Sequence, residues 1–216
     1  MKKILLAAAT TVLVFSASAQ DYKQVMQNTF LAFDTTQDLS IKTQQSNKLS
    51  LIAKKYADQW TAHYYNAYAK VQLSYMEKDE AKRDAFLDEG DKELAESITL
   101  LGKENDETYV LAAMLANARL AVKPQSRWQK YGKVFEQNLD KAKEVNPNNP
   151  RIYYVQGTSK FFTPKMWGGG KKAALPYFEK AQGLFDKENA ADITTISWGK
   201  EANAYFLKES KGEDKE

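Results

Sequence analysis

Apolar residues recur every three to four positions along most of the chain, the spacing of helices that bury one face. Tyr22, Val25, Met26, Thr29, Phe30 and Phe33 share a face of segment 22–33, and Ile41, Leu49, Ile52, Ala53 and Tyr56 a face of 38–57. The same pattern predicts helices over 58–75, 79–101, 106–122, 126–145, 151–162, 174–187 and 197–208. Most open near Asp or Ser, whose side-chain oxygen can satisfy an orphan backbone N–H. No segment alternates with a period of two between turn signals, and Ala and Leu far outnumber Val and Ile. Strands therefore have no home. The expected class is all-α, with about 8–10 helices.

The first nineteen residues follow a different pattern. Met1-Lys2-Lys3 is a short basic start, Ile4 to Phe15 is apolar apart from Thr10 and Thr11, and Ala17-Ser18-Ala19 offers a small-x-small cleavage site. This reads as a signal peptide (1–19) removed before Gln20. The rival reading is an uncleaved anchor, but the apolar run is short against the ~20 residues that span a bilayer. The expected product is a single helical domain over 20–208, periplasmic or secreted, with no stable membrane insertion and a disordered charged tail over 209–216.

Self-comparison shows a repeat. Trp60, Tyr109, Tyr153 and Trp198 each open a helix, at spacings of 49, 44 and 45 residues. Small residues follow four positions after the last three, at Ala113, Gly157 and Ala202, whereas Tyr64 takes that place in the first unit. The second helices carry small-large-small stripes, Gly90-Leu94-Ser97 and Ala174-Phe178-Ala181, and the middle unit keeps Leu139, Ala142 and then Pro147. Such spacing lines one helical stripe with small residues where helices cross and large ones where a gap must be filled.

Aromatic-x3-small, then small-x3-large-x2-small, then proline, resembles the tetratricopeptide repeat (TPR), with a period longer than the usual ~34 residues. Asn146-Pro147-Asn148-Asn149-Pro150-Arg151, Gly157, Thr163-Pro164 and Trp167-Gly168-Gly169-Gly170 are similar to a group of exported TPR-like proteins of Gram-negative bacteria, over roughly residues 45–208. The resemblance implies an array of helical hairpins (an α-solenoid) and an interaction role, and supplies no catalytic residue. It also implies a concave groove lined by first-helix positions: Thr61, Tyr65, Tyr68, Val110, Met114, Asn117, Tyr154, Thr158 and Phe161. That surface is uncharged and partly aromatic, and suits an apolar or extended peptide. The other reading is that the helices of residues 21–57, or the extra loop length, cover this face and make it core.

Gly168-Gly169-Gly170-Lys171-Lys172 has two readings. Glycines before a helix can cradle an anion, with two lysines adding charge. The run is no P-loop, since Lys165 stands where its first glycine belongs and Lys172 where Ser or Thr should be. The alternative is an inter-helix turn that needs positive φ. Pro176, which fits the first turn of a helix, would then place the helix start near Ala173.

Composition narrows the chemistry. Of 31 basic residues only four are arginine, and loss of Lys2 and Lys3 would leave 29 against 28 acids. A near-neutral chain of this kind is not expected to coat nucleic acid. Zero cysteines exclude disulfides, thiol catalysis and thiolate metal sites, and the single histidine, His63, cannot build a multi-histidine metal centre. The acids at 77–80 and 88–91 lack an EF-hand's ligand spacing. No catalytic residue, metal or cofactor is therefore expected. The leading expectation is a non-enzymatic exported repeat protein that binds a protein or peptide. The alternative is an enzyme or small-molecule binder with a pocket between the N-terminal helices and the repeat array.

Overall fold

The structure is a computed structural model that describes residues 20–212. The expected signal peptide, and positions 213–216 of the expected tail, lie outside the described residues. Among those residues there are nine α-helices, one short 3-10 helix and no strand, as the periodicity predicted. Helix α1 occupies residues 20–35. It is followed by α2 (Leu39–Lys55), α3 (Trp60–Met76), α4 (Glu80–Leu101), α5 (Asp106–Val122), α6 (Pro124–Val145), α7 (Pro150–Phe162), a 3-10 turn (Lys165–Trp167), α8 (Lys171–Phe185) and α9 (Lys200–Lys211).

Three antiparallel hairpins, α3/α4, α5/α6 and α7/α8, stack side by side, and α9 packs on α8. Polar caps set several of the starts. Asp38 accepts from the Ile41 N–H, Asp79 from Lys82, and Asn105 from Thr108, whose hydroxyl in turn caps the Asn105 N–H. Gly102 ends α4 in the left-handed region, where a side chain would be strained.

The stripes read from the sequence lie where the helices cross. Gly90, Leu94 and Ser97 are buried on α4, and the Ser97 hydroxyl donates to the Trp60 carbonyl at 3.0 Å. Ala174, Phe178 and Ala181 are fully buried on α8, as are Leu139 and Ala142 on α6. Helix α3 is buried on nearly every side because α1, α2, α4, α5 and the segment before α9 surround it.

Several boundaries differ from expectation. Helix α3 is capped at Gln59 rather than near Asp58. Helix α8 begins at Lys171, two residues before Ala173, although Pro176 then lies inside it. Pro176 and Lys172 face solvent, so the carbonyl left without an N–H partner can be hydrated. Trp198 does not open a helix. It precedes Gly199, whose φ of 96° breaks the backbone, and α9 starts only at Lys200. That helix then runs to Lys211, so residues 209–211 are helical rather than tail.

Candidate functional site

The face expected to be an open groove is interior. Phe30 from α1 packs on Tyr65 and Tyr68 with ring centroids 4.4 and 5.9 Å apart, and Phe33 packs on Tyr68. From the other side Trp198 lies 4.7 Å from the Tyr68 ring and 6.1 Å from Tyr154. Thr61, Tyr65, Tyr68, Val110, Met114 and Tyr154 are buried. Desolvation pushes the Tyr65, Tyr68 and Tyr154 phenols well above their ordinary range. Asn117, Thr158 and Phe161 are half-buried, and Phe161 packs against Phe178 and Phe206. The open-groove expectation fails because a helix and a strap of chain outside the repeat fill the concavity with rings. Phe33 and Trp198, both almost fully buried, pack with these rings between α1 and the array.

The strap, residues 186–199, is held by Arg151. This arginine is 1% exposed, and its guanidinium donates to both carboxylate oxygens of Glu188 at 2.7 and 3.0 Å. It also donates to Glu107 at 3.1 Å and to the Ile196 carbonyl at 2.7 Å, and lies over the Trp198 ring. Tyr64 donates to Glu107 and accepts from the Trp198 indole N–H. Tyr64 thus occupies the expected small position in order to carry this bridge. Burial pushes the Glu107 carboxyl up to about 7 against the opposing pull of Arg151. The cavity here, about 420 Å³, is lined by Asn146, Asn149, Leu184, Lys187 and the ion pairs, and the buried Arg151 Nε has no hydrogen-bond partner among the described residues.

The glycine run is a turn. The N–H groups of Gly168, Gly169 and Gly170 donate to the carbonyls of Lys165, Pro164 and Lys160, so none is left to cradle an anion. Gly168 and Gly170 have positive φ, and a Cβ on Gly169 would fall 2.1 Å from the Thr163 oxygen. Lys171 faces Glu209 at 3.5 Å, and Lys172 points to solvent. The anion-site expectation for residues 168–172 is therefore corrected. His63 is a packing residue, buried with Nδ1 2.7 Å from Glu93. Among the described residues no cluster of His, Cys, Asp or Glu is arranged to hold a metal.

A cleft of about 680 Å³ lies between the second and third hairpins. It arises because α6 buries only its later residues, Phe135, Leu139 and Ala142, so its first turns stand away from α7. Trp128, 59% exposed, forms one rim. Leu120 and Phe135 supply apolar lining, and Tyr177 reaches in from α8. Lys133 and Lys160 also line the cleft, and neither pairs with a carboxylate among the described residues. Asn117 is the one expected groove residue that reaches it, donating to the Tyr75 hydroxyl at 3.3 Å. The sequence signal for this site was faint: a tryptophan at 128 within a helix turn whose other residues are polar.

A solved structure, the HusA haemophore from Porphyromonas gingivalis, matches this chain with a TM-score of 0.74 and 32% sequence identity. The match covers 88% of this chain and 92% of the haemophore. The chain belongs to the HusA haemophore family. Neither a family model nor a curated protein matches it.

Proposed function

We propose that this protein is an exported, non-enzymatic binder of haem, and that the cleft between the second and third hairpins receives the macrocycle. The observation that carries the reading is the 32% identity to a haemophore over 92% of its length. The cleft is chemically suited to such a ligand. A flat apolar ring can lie against Trp128, Leu120, Phe135 and Tyr177, and Lys133 and Lys160 can face its two carboxylates. His63 is locked in the core, so of the side chains that commonly hold haem iron only Tyr177 stands in the cleft. Binding would then rest mainly on apolar contact and charge pairing.

The carrier role fits an exported chain, and residues 1–19 have the pattern of a cleaved signal peptide that delivers it to the periplasm or beyond. The tetratricopeptide-like pattern would be the scaffold, its small residues setting the hairpin packing. Capture of a peptide on the first-helix face is disfavoured, because that face is filled by Phe30, Phe33 and Trp198.

Titration with haemin, followed at the Soret band, tests the reading. Saturable binding that weakens about tenfold or more in Trp128→Ala supports it. Absence of saturable binding, or full affinity in a variant with Trp128, Lys133 and Lys160 all changed to alanine, overturns the assignment to this cleft.

A further inference from the structure

The three most exposed large hydrophobic side chains among the described residues lie within one short stretch. Met166 is 82%, Phe162 71% and Trp167 69% exposed. They are carried on a built projection. The N–H of Trp167 donates to the Pro164 carbonyl at 2.9 Å, and the Gly170 N–H ties the loop back to Lys160 at 2.9 Å. Gly169 lies against Thr163 with no room for a side chain. An ordered backbone that holds three large apolar groups outward is a convex tip, not a groove that a peptide could fill.

Among the described residues, several lysines lie near the tip. Antiparallel packing of α8 and α9 brings the start of α8 and the end of α9 beside it, which Lys171–Glu209 at 3.5 Å fixes. Lys172 and Lys208 are exposed and have no carboxylate partner among the described residues. Among the described residues here, Glu179 and Glu209 are each faced by a lysine. No helix of the described residues is long and apolar enough to cross a membrane. Tryptophan with other apolar side chains, ringed by lysine, is the chemistry that settles at the boundary between lipid headgroups and acyl chains.

We propose that this end of the molecule docks reversibly on an anionic lipid surface. Phe162, Met166 and Trp167 enter the headgroup boundary, and Lys172 and Lys208 face the lipid phosphates. Lys160 and Thr163 line the cleft and immediately flank the tip in sequence. Docking would therefore bring the mouth of the cleft to the lipid surface, a consequence that rests on the haem reading, although the docking itself does not.

Cosedimentation of the purified protein with vesicles tests this, using phosphatidylcholine alone and phosphatidylcholine mixed with phosphatidylglycerol. The wild type is expected to pellet with the mixed vesicles, less so at high salt, and to stay in solution with the neutral ones. Met166→Ser/Trp167→Ser and Lys172→Glu/Lys208→Glu should each lose about tenfold in partitioning, while circular dichroism and haemin titration match the wild type. A wild type that ignores the mixed vesicles overturns the proposal and points to a protein partner for the tip. So does either double variant pelleting like the wild type. Neither result bears on haemin affinity, which is read separately.

Discussion

Gly157 on α7 and Phe178 on α8 are in such close register that a Cβ on the glycine would stand 2.6 Å from the phenylalanine ring. Contacts that short do not persist, so the ring or the helix would have to move. Intrinsic helix propensity favours Ala over Gly by about 1 kcal/mol. Overpacking costs roughly 1–3 kcal/mol, so the packing effect is expected to win. Gly157→Ala should therefore lower the denaturant midpoint, and Gly157→Ala/Phe178→Leu should recover part of the loss. A midpoint unchanged or raised in the single variant would mean the crossing is looser than this geometry.

The glycine also shows how far local pattern reaches. Gly157, Ala174, Phe178 and Ala181 were legible because a helix crossing imposes its own spacing on both chains. Asp38 and Asp79 were legible as caps because capping is local. The cover over Tyr65, Tyr68 and Tyr154 was not, since it depends on a helix about forty residues upstream and a strap more than forty downstream of those rings. Nothing in the spacing of Trp198 says that it turns back onto Tyr64 and Tyr68. The cleft was hidden for a related reason. It is a gap left where α6 and α7 diverge, and a gap has no residue pattern of its own.

Arg151 is expected to hold the strap in place. Its removal leaves Glu107 and Glu188 near each other without their shared cation, and breaking a buried pair from one side costs about 3–5 kcal/mol. Arg151→Met should lower Tm by roughly 10 °C in a chain of this size. Arg151→Lys should recover little, because an ammonium cannot reproduce the fork to Glu188 and the bond to Ile196. Hydrogen exchange locates the effect. Amides of 193–198 should lose protection before those of α3, and uniform loss across the chain would reject a strap-specific role.

The buried carboxyl of Glu107 gives stability a definite pH dependence. Its ordinary value of 4.5 is raised to about 7 in the folded protein, with burial the largest cause. Between those values the folded state holds a proton that the unfolded state has released. The contribution of this group to stability is therefore greatest below about pH 4.5 and is lost as pH rises toward 7. The slope is at most about 1.4 kcal/mol per pH unit. Glu107→Gln keeps the shape without the titration, so the wild type should lose stability relative to this variant between pH 5 and 7. A difference between the two that stays flat, or that grows in favour of the wild type, would contradict the raised value.

Within the cleft, the aromatic rim and the lysines should contribute in separable ways. Trp128→Ala removes apolar contact, whose strength depends little on ionic strength, so haemin affinity should fall by a similar factor at low and high salt. Lys133→Ala and Lys160→Ala remove charges that face carboxylates near the surface, each worth about 0.2–1 kcal/mol. Together they should weaken binding by up to about thirtyfold at low salt, and by much less at high salt where the pairing is already screened. The measurement is the haemin dissociation constant for each variant at two ionic strengths, with circular dichroism confirming the fold. If the lysine pair changes affinity equally at both, the carboxylates do not face Lys133 and Lys160. If Trp128→Ala changes nothing at either, the macrocycle does not lie against this rim.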